Sequence, residues 1–330
     1  MKVNDWGHKG DFFAPRVREF AIFSVISQSE IRVYAIYLIY IMDKQRILLV
    51  SDMVGYGKVA TAAMLPILSY MGHPVYNLPT SLISNTFPYG RHALLETTDY
   101  IREVFPVWKE LGFRFDAIAT GYVVSERQAR TIADYCREQA EQGTLIFVDP
   151  VMADCGKLYH GVSETTIQCM REMVAVADLT YPNYTEACYL TDTPYHHQGV
   201  SADEARQLLD KVHGLGARSV IITSIRVDGV PSVVGFNHFD GGYFQLPYDE
   251  IPVQFPGTGD IFSAVLIGHL LDGTSLREST QQAMDTVYRL IDQNKDNADK
   301  NEGIPIEKHL TLLLSLNPPL APPQGRGELI

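Results

Sequence analysis

Gly257, Thr258, Gly259 and Asp260 stand directly ahead of the apolar helical run Ile261–Leu271. Glycines on both sides of Thr258 leave backbone N–H groups bare, and the amides at a helix start point at whatever lies in front of them, so the segment suits an anion. Asp260 could simply cap its helix, and Gly-Thr-Gly is a common turn. Neighbouring phosphates would explain both features at once: the amides would hold them, and the carboxylate would meet a hydroxyl proton. Two further polar sets follow apolar runs, Asp149 and Asp154 around Pro-Val-Met-Ala, and Asn183 and Glu186 in Pro-Asn-Tyr-Thr-Glu. Singly each acid reads as a cap or a solvated charge, but acids at successive strand ends point to a site. Other chemistries fail on spacing. Lys58 follows Gly57 without the upstream glycine of a P-loop, and Gly161-Val-Ser-Glu-Thr165 lacks the last glycine of a serine nucleophile elbow. His196 and His197 have no partners at zinc-ligand spacing.

These residues need elements to position them. Short β-branched apolar runs at 46–50, 74–78, 115–119, 144–149, 178–182 and 219–223 alternate with helical patterns over 59–71, 92–111, 125–142, 163–177, a short stretch from 183, and 202–215. That rhythm implies crossover units and an α/β fold, a central, mostly parallel sheet with helices on both faces. After Thr223 the pattern changes: 231–237 and 241–247 read as a small antiparallel edge, followed by a helix starting at Gly259 or Asp260. In such sheets ligands bind at the carboxyl ends of the strands, where the polar motifs fall.

The 330 residues carry 27 Lys+Arg against 39 Asp+Glu, a net charge of −12, without a basic stripe to follow a phosphate backbone, so nucleic acid is not expected as a partner. With 46% apolar residues the chain is too hydrophobic for intrinsic disorder. Cys136, Cys155, Cys169 and Cys188 form no C-x-x-C pair and read as reduced thilos of a cytoplasmic protein. Residues 20–41 are apolar but broken by Gln28, Glu30 and Arg32, too short a clean run to span a membrane. We expect an atypical extension over 1–41, one domain over 42–316 and a disordered proline-rich tail over 317–330.

The ordered set of motifs resembles a known family. Gly-Thr-Gly-Asp before a small, apolar helix is similar to the signature of the ribokinase-like superfamily. Residues 51–72, 78–90, 120–125, 149–159, 181–191 and 220–224, in that order, resemble the vitamin B6 kinases, most closely the bacterial pyridoxal/pyridoxamine kinases, over about 45–312. The resemblance implies ATP-dependent phosphorylation of the 5′-hydroxymethyl group of pyridoxal, pyridoxamine or pyridoxine, in a homodimer. It makes Asp260 the catalytic aspartate and Gly257, Thr258 and Gly259 the anion hole. Asp149, Asp154, Asn183, Thr223 and Ser224 would lie on the ATP side, with Mg²⁺ served by Glu186, acting through water, and by Asp149. Magnesium takes few carboxylates plus waters and phosphates, which a sparse acidic set can provide. A monovalent cation is a further option. Ser51, Asp52, Tyr56, Thr80, Ser84, Asn85 and Tyr122 would face the vitamer, their polar groups reaching its ring substituents while an aromatic packs on its face. Gly55-Tyr56-Gly57 would form a mobile turn over it.

The chain departs from the family pattern in having Thr86 and Phe87 where many relatives have His after Ser-Asn, and Ala153 where many have Gly. Two other readings stay open: a hydroxymethylpyrimidine kinase, whose substrate offers a similar hydroxymethyl on a flat ring, and a B6-binding protein without turnover.

Overall fold

The computed structural model describes residues 44–159 and 162–315. The extension expected over 1–41 and the tail expected over 317–330 lie outside the described residues. The strands are β1 (Ile47–Tyr56), β2 (Val75–Asn85), β3 (Leu94–Glu96), β4 (Ala117–Thr120), β5 (Leu145–Val148), β6 (Ala153–Asp154), β7 (Lys157–Leu158), β8 (Leu179–Thr180), β9 (Ser219–Val227), β10 (Val230–Asn237) and β11 (Gly242–Pro247). The helices are α1 (Thr61–Tyr70), α2 (Thr98–Glu110), α3 (Glu126–Ala140), α4 (Glu164–Val174), α5 (Tyr184–Leu190), α6 (Ala202–His213), α7 (Thr258–Leu271), α8 (Leu276–Asn294) and α9 (Leu310–Ser315).

Nine strands form one sheet in the order β11-β10-β9-β8-β5-β4-β1-β2-β3. From β9 across to β2 every neighbouring pair is parallel. The continuous apolar run Ile47–Val50 is fully buried because both faces of this central region are covered. Side chains alternate between the faces: Leu48 and Val50 pack with α2 to α6, and Ile47 and Leu49 with α1, α7 and α8. Helix α7 is apolar all round, with Ile261–Leu270 buried, because it lies among the sheet, α1 and α8. Most helix starts are written in the sequence. Ser125, Ser163, Asn183, Ser201 and Ser275 each accept the backbone N–H three residues on.

The expected antiparallel edge is present, β10 pairing with both β9 and β11. The opposite edge differs from the sequence reading. β1 runs on to Tyr56 and β2 to Asn85, and Tyr56 pairs with Asn85. Gly55 and Tyr56 are therefore the end of a strand and not the expected turn. The helix expected from 92 begins only at Thr98, because Leu94, Leu95 and Glu96 pair antiparallel with Ile83, Leu82 and Ser81. Pairing with a neighbour overrides weak local preference in these polar, glycine-containing stretches. β6 and β7 form a separate ribbon turned by Cys155 and Gly156, both at positive φ.

Candidate active site

Register places the chemistry. Val50, Thr120, Val148 and Thr180 lie in one row across β1, β4, β5 and β8. One residue further along, Ser51, Gly121, Asp149 and Tyr181 turn to the face that carries Leu49, Ala119, Phe147 and Leu179, which is the face covered by α7. The mouth of α7 therefore opens over the carboxyl ends of these strands. Gly257 has φ 86° as the residue before the helix, and a Cβ there would come within 2.2 Å of the Lys58 carbonyl oxygen. At Gly259 a Cβ would meet nothing within 4 Å, so its α-carbon looks into open space. Thr258 Oγ1 donates to Phe255 O at 3.3 Å, which leaves its backbone amide, with that of Gly259, for an anion.

Asp260 stands in the first turn and accepts a hydrogen bond from the backbone N–H of Ala60, a non-glycine residue held at φ 49°. Burial raises its carboxyl to about 6. Asp52, at the end of the buried part of β1, is raised to about 7, by burial first and by the charge of Asp260 second. Ser51 Oγ donates to its carboxylate at 3.3 Å. Asp149 is pushed well above the usual carboxylate range by burial, then by Glu186 and Asp260. Ser263 Oγ approaches Asp149 at 3.5 Å and donates to Gly259 O at 2.8 Å, and the buried phenol of Tyr181 feels the charge of Asp149. Ser263 and Tyr181 were invisible as site residues because their local context is apolar; helical spacing from Asp260 and strand alternation with Leu179 are the signals that could have found them.

In the first turn of α5, Glu186 is buried, and burial raises it to about 8. Its Oε1 accepts from the Met152 amide at 3.0 Å and its Oε2 from the Asn183 amide at 2.9 Å. Asn183 Oδ1 accepts from the Glu186 amide at 3.0 Å while Nδ2 donates to Ala153 O at 2.8 Å. This capping box thus fastens the loop after β5 to α5. Ala153 is fully buried and avoids positive φ, so alanine fits where relatives have glycine. Asp154 accepts from the Cys155 amide at 2.7 Å. Asp154, Asn183 and Ser224 line a cavity of about 250 Å³ with Tyr195 and Tyr248. Thr223 bridges to Asn183, and Ser224 is held at φ 55°. A cavity of about 570 Å³ opens beside Arg46, Asp116 and Thr144, at the amino ends of β1, β4 and β5. It holds none of the motif residues, and open α/β sheets bind ligands at the other end.

Several expected vitamer contacts have partners within the protein. Thr80 is fully buried and donates to Tyr122 O at 2.7 Å, so it sets the backbone from which Tyr122 projects. Ser84 donates to Asn85 Oδ1 at 2.7 Å and accepts from the Ala93 amide at 2.9 Å, and Asn85 Nδ2 donates to the carbonyls of Thr86 and Arg91 at 3.1 and 2.9 Å. Thr86 donates to Asn301 O at 2.6 Å, and the Lys58 amide to Glu302 O at 2.7 Å. Segment 299–303 thereby ties both loops together beside Gly257. Tyr56 is half exposed, its ring centroid 5.9 Å from that of Tyr89.

Among the described residues no group of three or more His, Cys, Asp or Glu is arranged to hold a metal ion alone. Asp149 and the buried Glu186, whose charge helps to raise Asp149, do suit magnesium, which takes one or two carboxylates and completes its shell with water and phosphate.

These shifts carry a consequence for stability. A carboxyl whose folded value is raised stabilises the fold fully below its unfolded value and loses that contribution as pH rises through the folded one. With Asp260 raised from 3.8 to about 6, Asp52 from 3.8 to about 7 and Glu186 from 4.5 to about 8, the melting temperature of the ligand-free protein should fall between pH 4 and 8. Calorimetry across that range checks it, and a melting temperature that rises steadily to pH 8 would contradict the burial of these acids.

A family profile described as phosphomethylpyrimidine kinase matches residues 98–304. A solved structure from Bacteroides thetaiotaomicron VPI-5482, provisionally described as a phosphomethylpyrimidine kinase and crystallised with pyridoxal, is 35% identical, with a TM-score of 0.78, covering 82% of this chain and 96% of its own. The pyridoxal kinase of Lactobacillus plantarum is 28% identical, with a TM-score of 0.74 over 82% of this chain and 97% of its own. A pyridoxal kinase of Arabidopsis thaliana is 32% identical over 192 residues, 54% of this chain and 60% of the relative. The mostly parallel nine-stranded sheet with its antiparallel edges, shared with these solved relatives, makes this a ribokinase-like protein. The profile covers more than half of the sequence, and the chain belongs to the phosphomethylpyrimidine kinase family.

Proposed function

We propose that this protein is a pyridoxal kinase, transferring the γ-phosphoryl group of ATP to the 5′-hydroxymethyl of a vitamin B6 vitamer. The observation that carries the reading is the position of Asp260: in the first turn of α7, beyond the bare amides of Thr258 and Gly259, and close enough to Asp52 and Asp149 for its charge to raise both carboxyls. Phosphoryl transfer needs alignment and charge stabilisation more than covalent help. The substrate hydroxyl donates its proton to Asp260 as its oxygen attacks the γ-phosphorus. The amides of the α7 mouth hold the transferring oxygens, and their geometry is set before the reaction by Gly257 and Asp260 itself. Asp149 and Glu186 would hold Mg²⁺, which neutralises phosphate charge when bound. The cavity beside Asp154, Asn183 and Ser224 takes the rest of the nucleotide.

A hydroxymethylpyrimidine substrate is the second reading, favoured by the description of the matching family. Release of ADP from Mg-ATP against pyridoxal, pyridoxamine, pyridoxine and hydroxymethylpyrimidine tests both. Turnover on a B6 vitamer supports the proposal; turnover on the pyrimidine alone replaces it, and binding of a vitamer without ADP release makes the protein a binder.

The kinase domain in this reading spans 42–316. A homodimer is supported by the exposed apolar residues Leu82, Leu94, Leu95, Tyr100 and Val107 at the β2–β3 edge and on α2; a monomer mass in sedimentation at micromolar concentration would refute it. Among the described residues no helix is long and apolar enough to cross a membrane, and Cys136, Cys155, Cys169 and Cys188 are unpaired. Free thiols and the need for ATP support a cytoplasmic location, which fractionation checks.

A further inference from the structure

We propose that Phe87 is the residue on which the flat ring of the substrate stacks, and that it sets the preference for aromatic heterocycles. The inference rests on the kinase reading above and adds a residue to it.

Phe87 opens the short 3₁₀ turn Phe87–Tyr89 and leaves 46% of its surface exposed. An exposed phenylalanine on a slack loop would mean little. This loop is fastened at several points: Ser84 binds the Ala93 amide, Asn85 binds the Thr86 and Arg91 carbonyls, the Thr86 amide donates to Tyr56 O, and the Thr86 hydroxyl donates to Asn301 O. The groups that the sequence suggested for the vitamer's substituents thus build a rigid frame around an aromatic ring.

The ring is also in the right neighbourhood. Its centroid lies 6.0 Å from that of Tyr122, edge to face, and 4.8 Å from that of His92. The Tyr122 phenol feels the carboxylate of Asp52, which in turn feels Asp260. Phe87 is therefore one aromatic ring removed from the carboxylates that handle the hydroxymethyl group. With these two edge-to-face neighbours in place 46% of Phe87 is still exposed for a planar partner, and offset stacking is a preferred geometry for such a pair. A pyridine or pyrimidine ring covers that face; a sugar has no matching one.

Steady-state kinetics and equilibrium titration of pyridoxal, followed by fluorescence on the full-length nucleotide-free protein, test this. Phe87→Ala should raise both the KM and the Kd for pyridoxal about tenfold, the size expected from losing a stacked ring and its buried area. Phe87→Leu keeps bulk but loses flatness and should show a smaller rise of the same kind, while Phe87→Tyr should stay within about twofold. The KM for ATP and the kcat at saturating vitamer should be unchanged, since the lost contact is made equally in the ground and transition states. Pyridoxal KM and Kd that hold within twofold in Phe87→Ala would overturn the inference. A loss confined to kcat or to ATP would overturn it too. If Phe87→Ala does not fold, the Leu and Tyr variants carry the same comparison. Wild-type protein that binds pyridoxal without releasing ADP would sink the kinase reading alone, and the titrations would still decide the role of Phe87. Protein that neither binds nor phosphorylates a vitamer would sink both.

Discussion

Asp260→Asn should lower kcat roughly a hundredfold to ten-thousandfold, the range for losing a positioned general base, and leave the binding of ATP and vitamer within about threefold because no binding contact is lost. The substitution keeps the size of the side chain and an oxygen for the Ala60 amide, so the fold should survive. What it removes is the acceptor for the proton of the attacking hydroxyl. Wild-type activity should fall as pH drops through about 6, where Asp260 takes up its own proton, and that limb should be missing from the residual rate of the variant. The charge of Asp260 helps to raise Asp52, so the Asn variant should also lower the Asp52 carboxyl from about 7. NMR titration of the labelled carboxyls reads that coupling directly. A variant with near wild-type kcat would remove Asp260 from the chemistry whatever the fate of the remaining acids.

Much of this site was legible in the sequence because its parts are local. Gly257–Asp260 advertise themselves before an apolar run, and Asn183 with Glu186 carries the spacing of a capping box, which the structure shows as reciprocal hydrogen bonds. The parallel sheet was legible for the same reason: runs such as Ile47–Val50 are apolar on both faces. Long-range pairings were not legible. Leu94–Glu96 looks like the start of a helix until β2 is extended far enough to pair with it. Thr80 bonds the Tyr122 carbonyl 42 residues away, Asn85 the carbonyls of Thr86 and Arg91 1 and 6 residues away, and Ser84 the Ala93 amide 9 residues away, partners that residue type alone does not reveal. Thr86 illustrates the point best. It stands out in the sequence only as a departure from the family pattern, while in the structure its hydroxyl reaches Asn301, 215 residues on, and fixes the loop that presents Phe87.

The two glycines of the proposed anion hole should separate stability from turnover. Gly257→Ala puts a side chain at φ 86°, which costs about 1–2 kcal/mol for a left-handed residue, and drives its Cβ to within 2.2 Å of the Lys58 carbonyl. A backbone oxygen tied to the strand end cannot step aside as a flexible side chain would. The variant should therefore lose roughly 2–4 kcal/mol of stability in urea unfolding, in the range of the more damaging single substitutions, and lose activity with it because the helix mouth shifts. Gly259→Ala meets no such obstacle: nothing lies within 4 Å of the new Cβ, and its position is helical without positive φ. Alanine there should leave stability unchanged or raise it by up to about 1 kcal/mol. Its methyl group nevertheless projects into the space where the transferring phosphoryl oxygens must sit, so kcat should fall at least tenfold in a protein that melts no lower than wild type, a loss of about 1.4 kcal/mol in transition-state stabilisation. A Gly259→Ala enzyme with full activity would mean that the anion is held elsewhere, and that the open space ahead of α7 is only a turn. If Gly257→Ala proved as stable as wild type, the approach of Lys58 would have to be looser than the structure shows, and the pre-set geometry of the α7 mouth would lose its physical basis.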